Sequence, residues 1–283
     1  MIFDERRSEL GEGPFWHPKR EALFWFDILK QKLLTRDAQG PQEWYFSDMV
    51  SAAGWIDHSS LLIASTGGLI VFDLEHKTQR LLCGFEGDPP HNRPNDGRTD
   101  PQNGFWIGTM SQSHAPNAGA IYRYYRGTLR KLFSGLTIPN TICFSPDGQS
   151  AYFSDTPSGH VMRVALDTQG WPKGKPEVYL DLKPLGLNPD GAVIDTAGMM
   201  WLAQWGASRV AAYGPDGAFV KAISFDAPNV SCPAFGGDNL RTLYCTSAQE
   251  GMAPDARART PHAGKVFAQT NVALGQISPR VIL

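Results

Sequence analysis

A repeating pattern runs the length of this 283-residue chain and limits what it can fold into. A small or polar residue opens an apolar strand, a turn built on Asp, Pro or Gly follows, and a second aromatic-rich strand comes next. The copies are GPFWHPKREALFWFD from Gly13, GWIDHSSLLIAST from Gly54, GRTDPQNGFWIGTM from Gly97, TICFSPDGQSAYFSD from Thr141, GAVIDTAGMMWLAQW from Gly191 and CPAFGGDNLRTLYCTS from Cys232. Successive starts lie 41 to 50 residues apart, and a four-stranded propeller blade takes roughly 40 to 50. The turn segments HisProLys, AspHisSer, AspProGln, SerProAspGly, AspThrAlaGly and GlyGlyAspAsn fall in the same place in each copy, where hairpins need them. The expected fold is all-β, a six-bladed β-propeller with four-stranded blades around a central channel, formed as one domain over residues 1–283. A β-sandwich also has short strands but does not require one period along the whole chain.

Composition agrees. With 42% hydrophobic and 19% charged residues the chain can bury a large core. No sustained helical period interrupts the strand pattern. A net charge of -2 offers no basic surface to nucleic acid. The richest apolar stretch, Leu61 to Phe72, is broken by Ser65, Thr66, Gly67 and Gly68, so no membrane span is expected. The opening MIFDERRSEL places charge where an export signal needs an apolar run, which points to the cytoplasm. Cys83, Cys143, Cys232 and Cys245 form neither a CxxC pair nor a disulfide-dense pattern, as suits a reducing compartment. A closed ring leaves few strand edges, making a monomer the default expectation.

In a propeller, residues at one register of different repeats meet around the axis. The positions just ahead of the repeat starts are Glu12, Ala53, Asp96 (with Asn95 beside it), Asn140, Asp190 and Ser231. Taken singly, Asp, Asn or Glu there is an ordinary turn residue. Taken together, Glu12, Asn140 and Asp190 offer two carboxylates and an amide oxygen, with no Lys or Arg at those positions, and such a set suits a divalent cation. Calcium, magnesium, manganese, zinc and ferrous iron all accept these oxygen donors.

The segments LGEGPFW (10–16), RPNDGRTDPQNGFWIGTM (93–110), PNTICFSPDG (139–148) and NPDGAVIDTAGMMWLA (188–203) resemble the motifs of the SMP-30/gluconolactonase/LRE family, sugar lactonases and regucalcin-like proteins. So do SCPAFGGDNLRTLYCTSA (231–248) and GMAPDARARTPHAGKVF (251–267). The resemblance spans nearly the whole chain. It implies a six-bladed propeller with one divalent metal held by Glu12, Asn140 and Asp190, and substrate contacts from Arg93 and Asn95. One departure is Thr141, where the family commonly carries Gly after the ligand Asn.

The implied activity is hydrolysis of a sugar-acid lactone to the free aldonic acid, with a metal as Lewis acid, water as nucleophile and Asp190 as the proton-handling group. The alternatives are a metal-dependent esterase or phosphotriesterase on the same fold, and a non-catalytic metal-binding or interaction propeller. No GxSxG, HExxH or GxxxxGK[ST] segment supports a serine hydrolase, a zincin or an NTPase. Asp96 is expected to stabilise its own turn, and Asn95 has an Asx-turn as its alternative. The seven histidines read as turn or rim residues, with His91 and His114 as candidates for the channel mouth. Trp106, Trp201 and Trp205 read as core. The loops 83–95 and 111–119 are expected to cover the substrate.

Overall fold

The computed structural model describes residues 1–89 and 91–283. Six four-stranded antiparallel sheets follow one another along the chain. Their innermost strands are Gly11–His17, Val50–Trp55, Asn92–Thr99, Pro139–Phe144, Asn188–Ile194 and Val230–Gly236, which define blades 1 to 6. Neighbouring inner strands touch around the ring, and blade 6 returns to blade 1. All six repeat starts fall inside these strands.

Six hydrophobic clusters fill the six gaps between blades. Phe24 and Phe26 of blade 1 meet Leu61 and Ile63 of blade 2, while Leu62 of blade 2 meets Phe105 and Tyr122 of blade 3. Trp106 packs with Phe144 and Phe153, Tyr152 with Leu202 and Tyr213, Trp201 with Phe235 and Leu243, and Tyr244 with Trp16 and Trp25. Each sheet is therefore buried on both faces, which explains why strands such as Ala22–Asp27 are apolar almost without alternation.

The shared turn chemistry is visible at atomic level. Asp100 accepts from the N–H groups of Gln102 and Gly104 and from Trp106 Nε1. Asp195 does the same for Ala197, Met199 and Trp201 Nε1. A carboxylate thus closes the hairpin and satisfies the indole six residues later in both blades.

Ring closure comes from the N-terminus: Ile2–Asp4 pairs antiparallel with Val266–Gln269 and becomes the outermost strand of blade 6. The C-terminal segment crosses the channel end formed by the C-terminal halves of the inner strands. There Gln276 donates to Phe144 O and Ile194 O, Trp55 Nε1 donates to Ser278 O, and Val281 N donates to Trp55 O. The opposite end stays open. All four cysteines are unpaired, and no helix among the described residues is long and apolar enough to cross a membrane.

Candidate metal and substrate site

Pairing of every inner strand with its neighbour is interrupted near its N-terminal half. Glu12, Asn95, Asn140 and Asp190 sit at or inside these interruptions, where a bulge re-aims side chains out of the regular pleat. The backbone fits only because it approaches closely. A Cβ on Gly13, which has φ +53°, would lie 2.0 Å from Ser51 O, and one on Gly191 would lie 2.3 Å from Cys232 Sγ. These glycines let blades 1 and 5 bring the adjacent carboxylates to the axis.

The open end holds a cavity of about 400 Å³ lined by Glu12, Arg93, Asn95, Asn140, Asp190 and Glu250, with Leu10, Met110, His114, Ile138, Thr156, Pro157, Asn188 and Trp205 around them. All five residues named from the sequence therefore share one cavity, of a size that suits a small ligand.

A directional hydrogen-bond chain orients the amides. Arg93 Nη1 donates to Asn95 Oδ1 at 2.8 Å and Asn95 Nδ2 donates to Asn140 Oδ1 at 2.9 Å. Asn140 Nδ2 donates to Thr156 Oγ1 at 2.9 Å, and Thr156 donates in turn to Pro189 O at 2.8 Å. Because the Thr156 hydroxyl is committed as a donor to a carbonyl, it must accept from Asn140, which fixes the amide with Nδ2 on Thr156 and Oδ1 on Asn95. Asn95 gives its second amide hydrogen to Pro139 O at 3.0 Å, and among the described residues its Oδ1 accepts from Arg93 and from no main-chain N–H of its own turn, so it forms no Asx-turn. Nη1 of Arg93 also reaches Pro94 O at 2.9 Å. Among the described residues, its Nε and Nη2 have no protein acceptor.

The carboxylates are poorly supported. Glu12 accepts from its neighbour Gly13 N–H at 3.1 Å, and the N–H of Gly191 supports the ionised form of Asp190. Burial, then the charge of Asp96, pushes Glu12 up to about 8. Burial, then Glu12, Asp96 and Glu250, raises Asp190 well above the ordinary range. Two buried carboxylates with so few donors require a cation or protons. Together with the oxygen of Asn140 they form a hard-donor set that fits one divalent ion. Among the described residues, no group of three or more His, Cys, Asp or Glu is arranged to hold a metal; the third donor here is an amide.

Several sequence expectations change. Asp96 bridges blades rather than serving its own turn alone: Oδ2 accepts from Ile142 N–H of blade 4 at 2.6 Å, and Oδ1 is buried without a partner. Trp106 and Trp201 are core, but Trp205 is half-buried and lines the cavity. His114 lines the cavity, whereas His91 is exposed and outside its lining. His17, expected in a turn or at the rim, instead ends the inner strand of blade 1 and is fully buried, and desolvation lowers its pKa to about 4. Of the two loops, 111–119 contributes His114. In 83–95, Asp88 is tied to Thr109 and Tyr122 on blade 3, and Arg93 and Asn95 reach the cavity; Pro90 lies outside the described residues. Glu250 was missed, because it falls in the blade 6 connection, outside the repeat register.

A family model described as "SMP-30/Gluconolactonase/LRE-like region" matches residues 10–249. A protein of Rhizobium meliloti named putative sugar lactone lactonase is 43% identical over 93% of this chain and 90% of its own length. The L-arabinolactonase of Azospirillum brasilense is 34% identical over 95% and 91%, respectively. A crystal structure from Agrobacterium tumefaciens, described as a calcium-binding protein, regucalcin, superposes with a TM-score of 0.97 at 37% identity, covering 100% of this chain and 97% of that one.

Proposed function

Since the chain belongs to the SMP-30/gluconolactonase/LRE-like family, we propose that it hydrolyses a sugar-acid lactone to the free aldonic acid in the cavity at the open end of the channel. The relatives named sugar lactone lactonase and L-arabinolactonase support the reaction class. The observation that carries the site is the pair of buried, sparsely supported carboxylates, Glu12 and Asp190, beside the fixed amide of Asn140. We assign these three as ligands of one divalent ion; the likeness to a protein described as calcium-binding supports a metal here, and the oxygen donors also admit magnesium, manganese, zinc or ferrous iron. When bound, the ion supplies Lewis acidity toward the lactone carbonyl oxygen and offsets the two carboxylates.

The chain's own groups do the rest. Arg93 presents its free Nε and Nη2 hydrogens to substrate oxygens, while Nη1 stays locked to Asn95 and Pro94. Asn95 lines the same cavity but spends both amide hydrogens on the protein, so its main role is to hold Asn140 and Arg93 in place. Asp190 takes the proton of the attacking water as the new C–O bond forms at the acyl carbon. It returns that proton to the ring oxygen as the acyl–oxygen bond breaks, giving the hydroxy acid. No protein nucleophile is required. Acid release from pentono- and hexonolactones, with aryl esters and phosphotriesters alongside, tests this reading: preferential opening of lactones supports it, and preferential turnover of the other esters replaces it.

A further inference from the structure

Glu250 lines the same cavity as Glu12, Arg93 and Asp190, and its main chain is held firmly. Its N–H and that of Gln249 both donate to Glu9 O at 2.9 Å, and its carbonyl accepts from Asn229 Nδ2 at 3.2 Å. Of the two arginines on the short helix Pro254–Arg259 that follows, Arg257 is spent on the Glu9 carboxylate, with Nη1 to Oε2 at 2.9 Å, and Arg259 on Asp255. Among the described residues the Glu250 carboxylate has no ion pair and no hydrogen bond. It is an uncommitted acceptor on the cavity wall, carried on an anchored main chain and close enough for its charge to act on Glu12, Asp190 and Arg93.

We propose that Glu250 sets the charge class of the substrate, admitting uncharged polyhydroxylated lactones and disfavouring lactones that carry a further anionic group; this rests on the lactonase reading above. Three carboxylates then face one guanidinium and one divalent cation, so the cavity carries no surplus positive charge for a carboxylate or sulfonate on the sugar. The buried Asp96 carboxylate, whose charge also reaches Glu12 and Asp190, moves this balance further toward negative, with Arg98 beside it as an offset. Sugar hydroxyls are donors, and an unpaired carboxylate is a strong acceptor for them. A second anion on the substrate would instead meet a like charge in a partly desolvated wall.

The test uses the full-length protein loaded with a divalent ion, as wild type, Glu250→Gln and Glu250→Asp. Two probes are compared: a neutral hexonolactone and its analogue with a carboxylate in place of the terminal CH2OH. Rates are read as kcat/KM, and binding of the corresponding non-hydrolysable lactams is followed by calorimetry. Wild type should favour the neutral probe. Glu250→Gln should raise the anionic-to-neutral ratio on the order of tenfold in both readouts, the size expected for deleting one nearby like charge, and Glu250→Asp should restore the preference. An unchanged or lower ratio in Glu250→Gln, with lactams still bound, overturns the role of Glu250 and leaves the lactonase reading intact. A wild type that opens neither lactone and binds neither lactam overturns both.

Discussion

The hydroxyl of Thr141 donates to the main-chain oxygen of Asp190 at 2.6 Å, joining blade 4 to blade 5 beside the candidate site. Thr141 has φ +62°, a left-handed conformation that a β-branched residue adopts at a cost of about 1–3 kcal/mol. The same hydroxyl accepts from Ser154 at 2.8 Å, so these hydrogen bonds hold a strained residue in place. Thr141→Val keeps the strain and strands two buried polar groups; it should lower stability by roughly 2–3 kcal/mol. Thr141→Gly removes strain and hydrogen bonds together and should cost less than the valine change. Equal losses in chemical denaturation would show that the strain contributes nothing, and an unchanged stability in Thr141→Val would show that the hydroxyl contributes nothing.

Asn95 offers a second test, since it positions Asn140 through a 2.9 Å hydrogen bond. Asn95→Ala should weaken divalent-ion affinity about 10- to 100-fold, as expected when the partner of a ligand is removed. Titration of the metal-free protein measures this directly. An unchanged affinity would mean that Thr156 alone suffices to orient the amide.

The carboxylates predict an unusual pH dependence. Burial raises Glu12 to about 8 and also raises Asp190, so each binds its proton more tightly folded than unfolded. That contribution to stability is present at low pH and is lost as pH rises toward the folded values. His17, lowered to about 4 by desolvation, acts oppositely but only below its unfolded value near 6.5. Between pH 6.5 and 8 the metal-free protein should therefore lose Tm as pH rises, and Glu12→Gln should flatten the decline. A divalent ion should restore most Tm at pH 8. A metal-free Tm that climbs over this interval would contradict the assignment.

Away from the site, Asp100 and Arg123 form a fully buried ion pair, Nε to Oδ2 at 2.6 Å, with the guanidinium 4.4 Å from the Trp171 ring centre and 4.5 Å from that of Tyr125. Asp100→Asn leaves the guanidinium uncompensated and should cost about 3–5 kcal/mol. Because neither residue lines the cavity, kcat/KM of the folded fraction should stay within roughly threefold of wild type. A large activity loss without a stability loss would reveal a coupling that the contacts do not contain.

Much of this architecture is legible from residues. Asp100 and Asp195 each sit six positions before a buried Trp whose indole they bind, and such recurring turn chemistry makes the period visible. Glu12, Asn140 and Asp190 meet because they occupy related positions in it. Other features are not local. The strand Ile2–Asp4 carries nothing that names Val266–Gln269 as its partner. The bulges sit where the backbones of neighbouring blades come close, and Glu250 reaches the cavity from the connection after the second strand of blade 6, as His114 does in blade 3 and Thr156 in blade 4, beyond the end of the recurring segment. Asp96 reads as a turn residue until blade 4 brings Ile142 N–H to it.

The most direct measurement is to strip the protein with chelator, add back single divalent ions and follow acid release from aldonolactones in wild type, Glu12→Gln and Asp190→Asn. The account predicts that chelation abolishes hydrolysis, that at least one ion restores it in wild type, and that both variants remain inactive over the spontaneous rate. Full activity after exhaustive chelation, or an Asp190→Asn protein that keeps both ion and turnover, would contradict it.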